Sequence, residues 1–433
     1  MRETKLILIA FSKDQLASIF RIVLLMLAGE GIFLLPFLLA RIFRPTFLAV
    51  FEISNFELGS LYSIYGVVAL VSYLFGGAIA DRFPPRKLMA TALLMTAAGG
   101  LIMAQFPSFF ALQLVYGYWG FSTIFLFWAA MIKATRNWGG LHQQGRAFGF
   151  LEGGRGIVAA SIGAAGVLIF ALLIPEDVVS ASFQERQTAF RWVILVTSGL
   201  VTLVGLMVLF FLKEEEGEET EEDELKADTS WQTILRVMQL PSVRLLILIV
   251  LCAYCGYKVT DILSLYAAEV MLFDEVDAAK VGSFQMYLRP LICISIGFFA
   301  DRSSSAVWLV RGFLLLLIGA LLFASGWVVA PHNAFFFLSI VITGIGTYGL
   351  RTLYFAAVKE GHIPYAVTGT AVGIISVVGY TPDIFMGPVM GLLLDNNPGL
   401  AGHQLVFLLL AAFAAVGTFA SIRFKKFVHK NEV

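Results

Sequence analysis

The sequence predicts an all-α membrane protein with twelve transmembrane helices in two pseudosymmetric six-helix bundles. Three observations predict it. Of 433 residues, 59% are hydrophobic and only 14% charged, with mean hydropathy +0.85, whereas a soluble domain carries about 25% charged residues. Twelve apolar runs recur along the chain, each near the roughly 20 residues that a helix needs to cross a hydrocarbon core about 30 Å thick. Short motifs of the first half also return, in the same order, in the second.

The runs fall at 18–41, 58–80, 88–107, 110–134, 147–171 and 190–212, then at 244–268, 279–300, 306–330, 334–358, 366–391 and 402–423. Each stops at charged residues or at a Pro or Gly break, where a helix ends or leaves the apolar layer. Ahead of the first run, Met1 to Asp14 carry Arg2, Lys5 and Lys13 but no small-residue cleavage site follows the apolar stretch. The first span is therefore expected to stay in the mature protein.

Between the two sets stands a like-charge block from Lys213 to Lys226, dominated by Glu. It repels itself and cannot bury a core, so it reads as a solvated linker. The expected division is an N-terminal bundle at 1–212, an acidic cytoplasmic linker at 213–240 and a C-terminal bundle at 241–433. Late in the linker, Trp231, Ile234, Leu235 and Met238 recur at helical spacing opposite Gln232, Thr233 and Arg236. That pattern predicts a short helix lying on the membrane surface or packed on the protein.

Basic residues set the orientation. Arg82, Arg86 and Lys87 follow the second run, Lys133 and Arg136 the fourth, and Arg423, Lys425, Lys426 and Lys430 the twelfth. The other side carries Arg41, Arg44, Arg186, Arg191 and Lys280. An excess of Lys and Arg marks the inner side, so both termini are expected in the cytoplasm of a bacterial inner (plasma) membrane. Net charge is +0 and gives no sign of a nucleic-acid partner. Cys252, Cys255 and Cys293 lie in apolar runs with no second pair or histidine to complete a metal or redox site, and read as small packing residues.

Three matches carry the internal repeat. Gly77-Ala-Ile-Ala-Asp81-Arg82 answers to Gly297-Phe-Phe-Ala-Asp301-Arg302, and Phe127-Trp-Ala-Ala130-Met-Ile-Lys133 to Tyr354-Phe-Ala-Ala357-Val-Lys359. Gly145-Arg-Ala-Phe-Gly149 answers to Gly369-Thr-Ala-Val-Gly373. Such repeats mark pseudosymmetric carriers.

The string Gly77-x-x-x-Asp81-Arg82-x-x-x-Arg86-Lys87 resembles the loop motif of the major facilitator superfamily, and the resemblance covers the whole chain. It implies two bundles that rock about a central site and open it to each side in turn. In that reading Gly77, Asp81, Arg82, Arg86, Lys87, Asp301 and Arg302 form a gating motif, small Gly77 allowing close helix approach and Asp81 capping or pairing with a neighbour. Pro84 and Pro85 depart from the pattern, and the second copy has Ser303, Ser304 and Ser305 in place of a basic cluster. The fifth helix lacks the glycine-proline motif of drug antiporters. More loosely, Lys133 to Arg136 and Gln144 to Gly156 resemble bacterial carriers of anionic sugar derivatives, of the organophosphate or sulfosugar type.

Charges inside the spans carry the functional reading, because each costs roughly 2.5–3.5 kcal/mol at the centre of a membrane helix. They are Arg21, Glu30, Glu152, Arg155, Lys258, Asp261, Arg289, Arg351 and Asp383. Arg21 lies near enough to the surface to snorkel. Glu30, Lys258 and Arg289 fall nearest mid-depth, where a carrier holds its substrate. Glu152 with Arg155, and Lys258 with Asp261, are three apart and can pair on one helix face. Arg289 and Arg351 have no carboxylate at helical spacing, so they need partners from another helix or an anionic ligand. Pro290 should kink the helix beside Arg289. Glu30, between Gly29 and Gly31, has no cation at helical spacing, and such a carboxyl takes up a proton readily.

The expectation is a secondary active transporter, a symporter, that moves a small polar anionic organic solute by alternating access with proton coupling. Substrate binding is expected at Arg289, Arg351, Lys258, Arg155, Tyr348 and Trp128, and proton or ion coupling at Glu30, Glu152, Asp261 and Asp383, with sodium as the other coupling ion. No cofactor, metal or nucleic acid is expected, and the partners are the solute, lipid and the coupling ion, with the chain a monomer. No nucleophile–base or metal cluster suggests an enzyme. The alternatives are a permease-like solute sensor and a carrier of a neutral sugar or drug-like solute.

Overall fold

The computed structural model describes residues 13–139, 144–175, 178–212, 231–354, 356–363 and 367–432. The acidic block at 213–226 lies outside the described residues. Among the described residues twelve helices are long and apolar enough to cross a membrane: α1 (Gln15–Ile42), α2 (Asn55–Arg82), α3 (Pro85–Met103), α4 (Phe109–Gly139), α5 (Gln144–Leu173), α6 (Phe183–Phe211), α7 (Pro241–Glu269), α8 (Glu275–Asp301), α9 (Ser305–Ala324), α10 (Asn333–Leu353), α11 (Thr370–Asn396) and α12 (Leu400–Glu432). Among the described residues there is no strand, as the need to satisfy every backbone polar group in lipid demands.

Local chemistry starts the helices. Ser54 with Glu57, and Ser182 with Glu185, form capping boxes at α2 and α6. Pro85 and Pro241 occupy the first turns of α3 and α7, where a missing N–H costs nothing. The box at Ser182 explains why α6 begins seven residues before the expected 190. Arg186 in that extension is matched by Glu275 at 3.0 Å, and Arg191, just after it, by the Ala104 carbonyl at 3.1 Å.

Several spans are irregular at the depth of the later site. α1 has a π-helical stretch at Leu34–Leu38 around Pro36, and α4 another at Phe121–Trp128. α7 tightens to a 3-10 turn at Thr260–Ile262, and α11 breaks at Tyr380 and Thr381 before Pro382. Irregular backbone at membrane depth is tolerated where it lines a cavity rather than lipid.

Two apolar cores form, one chiefly from α1–α6 and one from α7–α12. The halves meet along α2 with α11 and α5 with α8. The face that carries the start of α1 and the end of α12 is termed the terminal face, and the other the far face. On the far face the seam is closed. A Cβ on Gly282 of α8 would stand 2.7 Å from Ile42 Cα, so only glycine permits that approach. The Ser63 hydroxyl donates to the Ile384 carbonyl. Asp395 of α11 accepts from the Asn55 and Phe56 backbone N–H groups of α2 at 3.1 and 2.7 Å, a carboxylate set on a helix N-terminus of the other bundle. Toward the terminal face the same helices part: Gly77, Gly149, Gly297 and Gly373 have no foreign atom within 4 Å of a would-be Cβ.

Gly77 therefore makes no close helix contact with the terminal ends apart, and Arg82, Lys87 and Arg302 are exposed. The side chains of Asp81 and Asp301 lie outside the described residues. Arg86 is half-buried. The carboxylate that caps the start of α9 is Glu360, which accepts from Ser304 Oγ and the backbone N–H groups of Ser305 and Ala306 at 2.6–3.0 Å. The short helix Trp231–Gln239 buries Val237 against the C-terminal core while Leu235 and Met238 stay exposed.

Arg41 and Arg44, expected on the outer surface, are buried instead. Arg44 donates from Nε and Nη2 to Asn55 Oδ1 at 3.1 and 2.9 Å. The partner of Arg41 lies in the other bundle, at the site described next.

Candidate functional site

Between the bundles lies a cavity of about 100 Å³, on a measure where one water takes roughly 10–15 Å³. The N-terminal half supplies Glu30, Phe33, Phe37, Arg41, Tyr65, Tyr73, Trp128 and Arg155. The C-terminal half supplies Tyr254, Tyr257, Lys258, Arg289, Arg351, Tyr380 and Asp383.

The charges form two clusters that each join the bundles. On the terminal side, Glu30 lies 3.2 Å from Arg155 and 3.7 Å from Arg289, and Glu152 lies 2.6 Å from Arg155 and 3.2 Å from Arg289. The Glu152 side chain is 49% exposed although both its arginines are buried, so water reaches this cluster from the parted end. On the far side, Asp261 lies 2.5 Å from Arg41 and 3.3 Å from Lys258, and Lys258 lies 3.3 Å from Asp383. The Tyr254 hydroxyl donates to Asp383 at 3.0 Å, Arg41 donates to the Tyr257 hydroxyl at 2.9 Å, and Ser264 donates to the Arg41 carbonyl at 2.7 Å.

Arg351 differs from all of these. No carboxylate lies within ion-pair distance of it among the described residues, and its buried Nη1 has no hydrogen-bond partner. Its guanidinium lies over the Tyr257 ring, 4.0 Å from the centroid, a contact worth about 0.5–2 kcal/mol that leaves its donors free. Five cations (Arg41, Arg155, Lys258, Arg289, Arg351) thus face four carboxylates (Glu30, Glu152, Asp261, Asp383).

The structure brings most of the expected site residues together. Arg289, Arg351, Lys258, Arg155, Trp128, Glu30 and Asp383 line the cavity, while Glu152 and Asp261 stand behind it as counter-charges. Tyr348 is buried in the C-terminal core and does not line the cavity. The pairs expected within α5 and α7 form, but each carboxylate also reaches a cation of the other bundle. Glu30 is not the lone carboxyl that its helix suggested, because α5 and α8 each bring an arginine to it.

Sequence reasoning missed Arg41 and most of the aromatic wall. A signal existed on α7: Tyr254, Tyr257, Lys258 and Asp261 fall at i, i+3, i+4 and i+7 and make a polar stripe on an apolar helix. No comparable signal marks Phe33 or Phe37. Among the described residues no three His, Cys, Asp or Glu side chains converge as a metal site. Cys252 and Cys255 are buried and unbridged.

The chain is similar to known proteins along its length. The family model described as Major Facilitator Superfamily matches residues 19–382. Inner membrane protein YqcE of Escherichia coli (strain K12) is 26% identical over 378 residues, covering 86% of this chain and 87% of that one. Inner membrane protein YihN of the same organism is 26% identical over 422 residues, covering 94% and 96%. In structure, a bacterial homolog of the human lysosomal transporter Spinster, crystallised inward-facing and unoccupied, superposes with TM-score 0.71 at 15% identity over 96% of this chain and 99% of that one. The nucleoside transporter NupG gives 0.67 at 16% identity, covering 96% and 100%. A mid-depth charged cavity between two repeated bundles is what this fold uses to hold a solute, and with the family match the conclusion is plain: the chain belongs to the major facilitator superfamily, as an integral membrane transporter of small solutes and not an enzyme.

Proposed function

We propose that this protein is a secondary carrier of a small organic anion in a bacterial inner membrane. The N- and C-terminal bundles, at 1–212 and 241–433, move as units joined by the cytoplasmic linker at 213–240. The clusters Arg82, Arg86, Lys87 and Arg423, Lys425, Lys426 stand on the terminal face, which supports a cytoplasmic assignment for it. Burial of Arg41 and Arg44 strengthens the bias, since it removes two charges from the far surface.

Arg351 carries the reading. A buried guanidinium without a counter-charge is unfavourable by several kcal/mol, and a carboxylate, sulfonate or phosphate can supply that charge through two parallel hydrogen bonds. The rings of Tyr254 and Tyr257 beside Arg351, and of Trp128 and Phe33 beside Arg155 in the same cavity, suit the body of an organic skeleton rather than a bare inorganic ion.

Proton coupling runs through Glu30. A cargo that draws Arg289 away leaves this carboxylate short of counter-charge in a medium of low dielectric constant, and a proton then replaces the lost cation. Glu30→Gln should abolish the stimulation of uptake by an inward proton gradient while leaving counterflow intact. Uptake of labelled organic anions into proteoliposomes, with and without that gradient, measures both; acid stimulation that survives in the variant excludes Glu30 as the proton carrier. The anion reading itself is tested by thermal unfolding against sugar acids, sulfonates and neutral sugars and nucleosides. Selective stabilisation by anions is expected, and equal or better stabilisation by the neutral solutes overturns it.

A further inference from the structure

Resting on the reading of this cavity as an anion site, we infer that its charge balance sets a valence rule: an organic monoanion binds without a proton, whereas a dianion binds only together with one, taken up by Glu30. The count of five cations to four carboxylates leaves a single positive charge, and Arg351 is the cation without a carboxylate. One negative charge on Arg351 makes the site neutral with every ion pair in place. Exchange of neutral loaded carriers is then insensitive to membrane potential, and only the empty carrier moves a charge.

A second negative charge needs a second guanidinium. Arg41 and Lys258 are held at 2.5 and 3.3 Å by aspartates. Arg155 is held at 2.6 Å by Glu152 and at 3.2 Å by Glu30. Arg289 is held at 3.2 Å only by the half-exposed Glu152, which water also serves, and at 3.7 Å by Glu30, the longest ion pair in the cavity, so Arg289 turns to the ligand. Glu30 and Glu152 then share Arg155, two carboxylates on one guanidinium. Glu152 is half exposed and keeps water, while the Glu30 side chain is 9% exposed. Glu30 is therefore the group that accepts the proton. The charged and titratable groups facing it are Arg155 and Glu152 from α5, Arg289 from α8 and, from α7, Tyr257, whose hydroxyl is held by Arg41. The other helices against this stretch of α1, namely α3, α4 and α6, carry charges only near their ends.

The test uses the purified full chain and two sugar acids of one carbon skeleton, an aldonate with one carboxylate and an aldarate with two. Both are fully ionised at about pH 7.5, far above the usual carboxyl range. Calorimetry in buffers of different ionisation enthalpy counts the protons taken up per ligand bound. About zero is expected for the aldonate and about one for the aldarate, with aldarate affinity rising roughly tenfold per unit fall in pH and aldonate affinity flat. In Glu30→Gln the cavity carries one more positive charge, and the aldarate should bind with no proton. A proton taken up with the aldonate, none with the aldarate, or one still taken up by the variant overturns the valence rule. Failure of both acids to bind, with the matching neutral alditol bound, overturns the anion reading instead.

Discussion

Arg351→Gln should reduce organic-anion binding and transport by about 30-fold or more while leaving the folded protein as stable as before or more so. The two effects have one cause. Truncating one partner of a desolvated ligand–protein charge pair costs about 2–5 kcal/mol, and each 1.4 kcal/mol is a factor of ten. Yet in the unliganded protein Arg351 has no carboxylate to orphan among the described residues and rests on the rings of Tyr257 and Tyr254, so glutamine removes a buried charge and strands none. Arg289→Gln should behave differently, because Arg289 neutralises Glu30 and Glu152 across the bundle seam. Its loss should lower both binding and the unfolding temperature. Arg351→Lys keeps the charge but loses the planar fork and the stack, and an intermediate affinity is expected. Calorimetric binding and thermal unfolding on the three purified variants check this. Unchanged anion affinity in Arg351→Gln, with Arg289→Gln destabilised, would leave Arg351 as packing and remove the ground for an anionic cargo.

How far the sequence foretold this site depended on which residues could be judged alone. The spans were legible because hydrophobic length and breaker residues are local, and Arg155, Lys258, Arg289 and Arg351 stood out because a charge in lipid demands a reason. Arg41 did not, since it closes the last turn of α1 and counts as an interfacial charge until Asp261 is placed beside it. Asp261 in turn looked satisfied by Lys258 three residues away. The structure shows one carboxylate shared by two cations from different bundles, a tertiary fact with no local sign. The partners of Glu30 were hidden for the same reason: its own helix holds no cation at helical spacing, and both of its arginines arrive from elsewhere. The break in α11 that sets Tyr380 and Asp383 beside the cavity followed from Pro382 only once the neighbouring helices fixed its depth.

Asp261→Asn should open the far face. Asp261 and Arg41 belong to different bundles, with side chains 2% and 5% exposed, and their 2.5 Å contact holds the seam together with the bond from Ser264 to the Arg41 carbonyl. Removing the carboxylate leaves Arg41 with the Tyr257 hydroxyl alone and Lys258 with Asp383 alone. Stranding a buried charge costs about 3–5 kcal/mol. That penalty falls on the closed arrangement rather than on either bundle, because parting of the bundles lets water reach both cations while the two apolar cores stay intact. The closed state should therefore lose about 100-fold or more in relative population. A thiol placed at Ser264, a fully buried position, reports it. With the three natural cysteines replaced, Ser264→Cys should resist a membrane-impermeant maleimide in the otherwise native chain and react rapidly once Asp261→Asn is added. Further addition of Arg41→Met takes away the stranded charge and should restore protection, an outcome that general loosening of the fold does not give. If the thiol stays protected in Asp261→Asn, closure of the far face rests on Asp395 at the start of α2 and on Glu275 with Arg186, and the Arg41–Asp261 pair is structural rather than a gate.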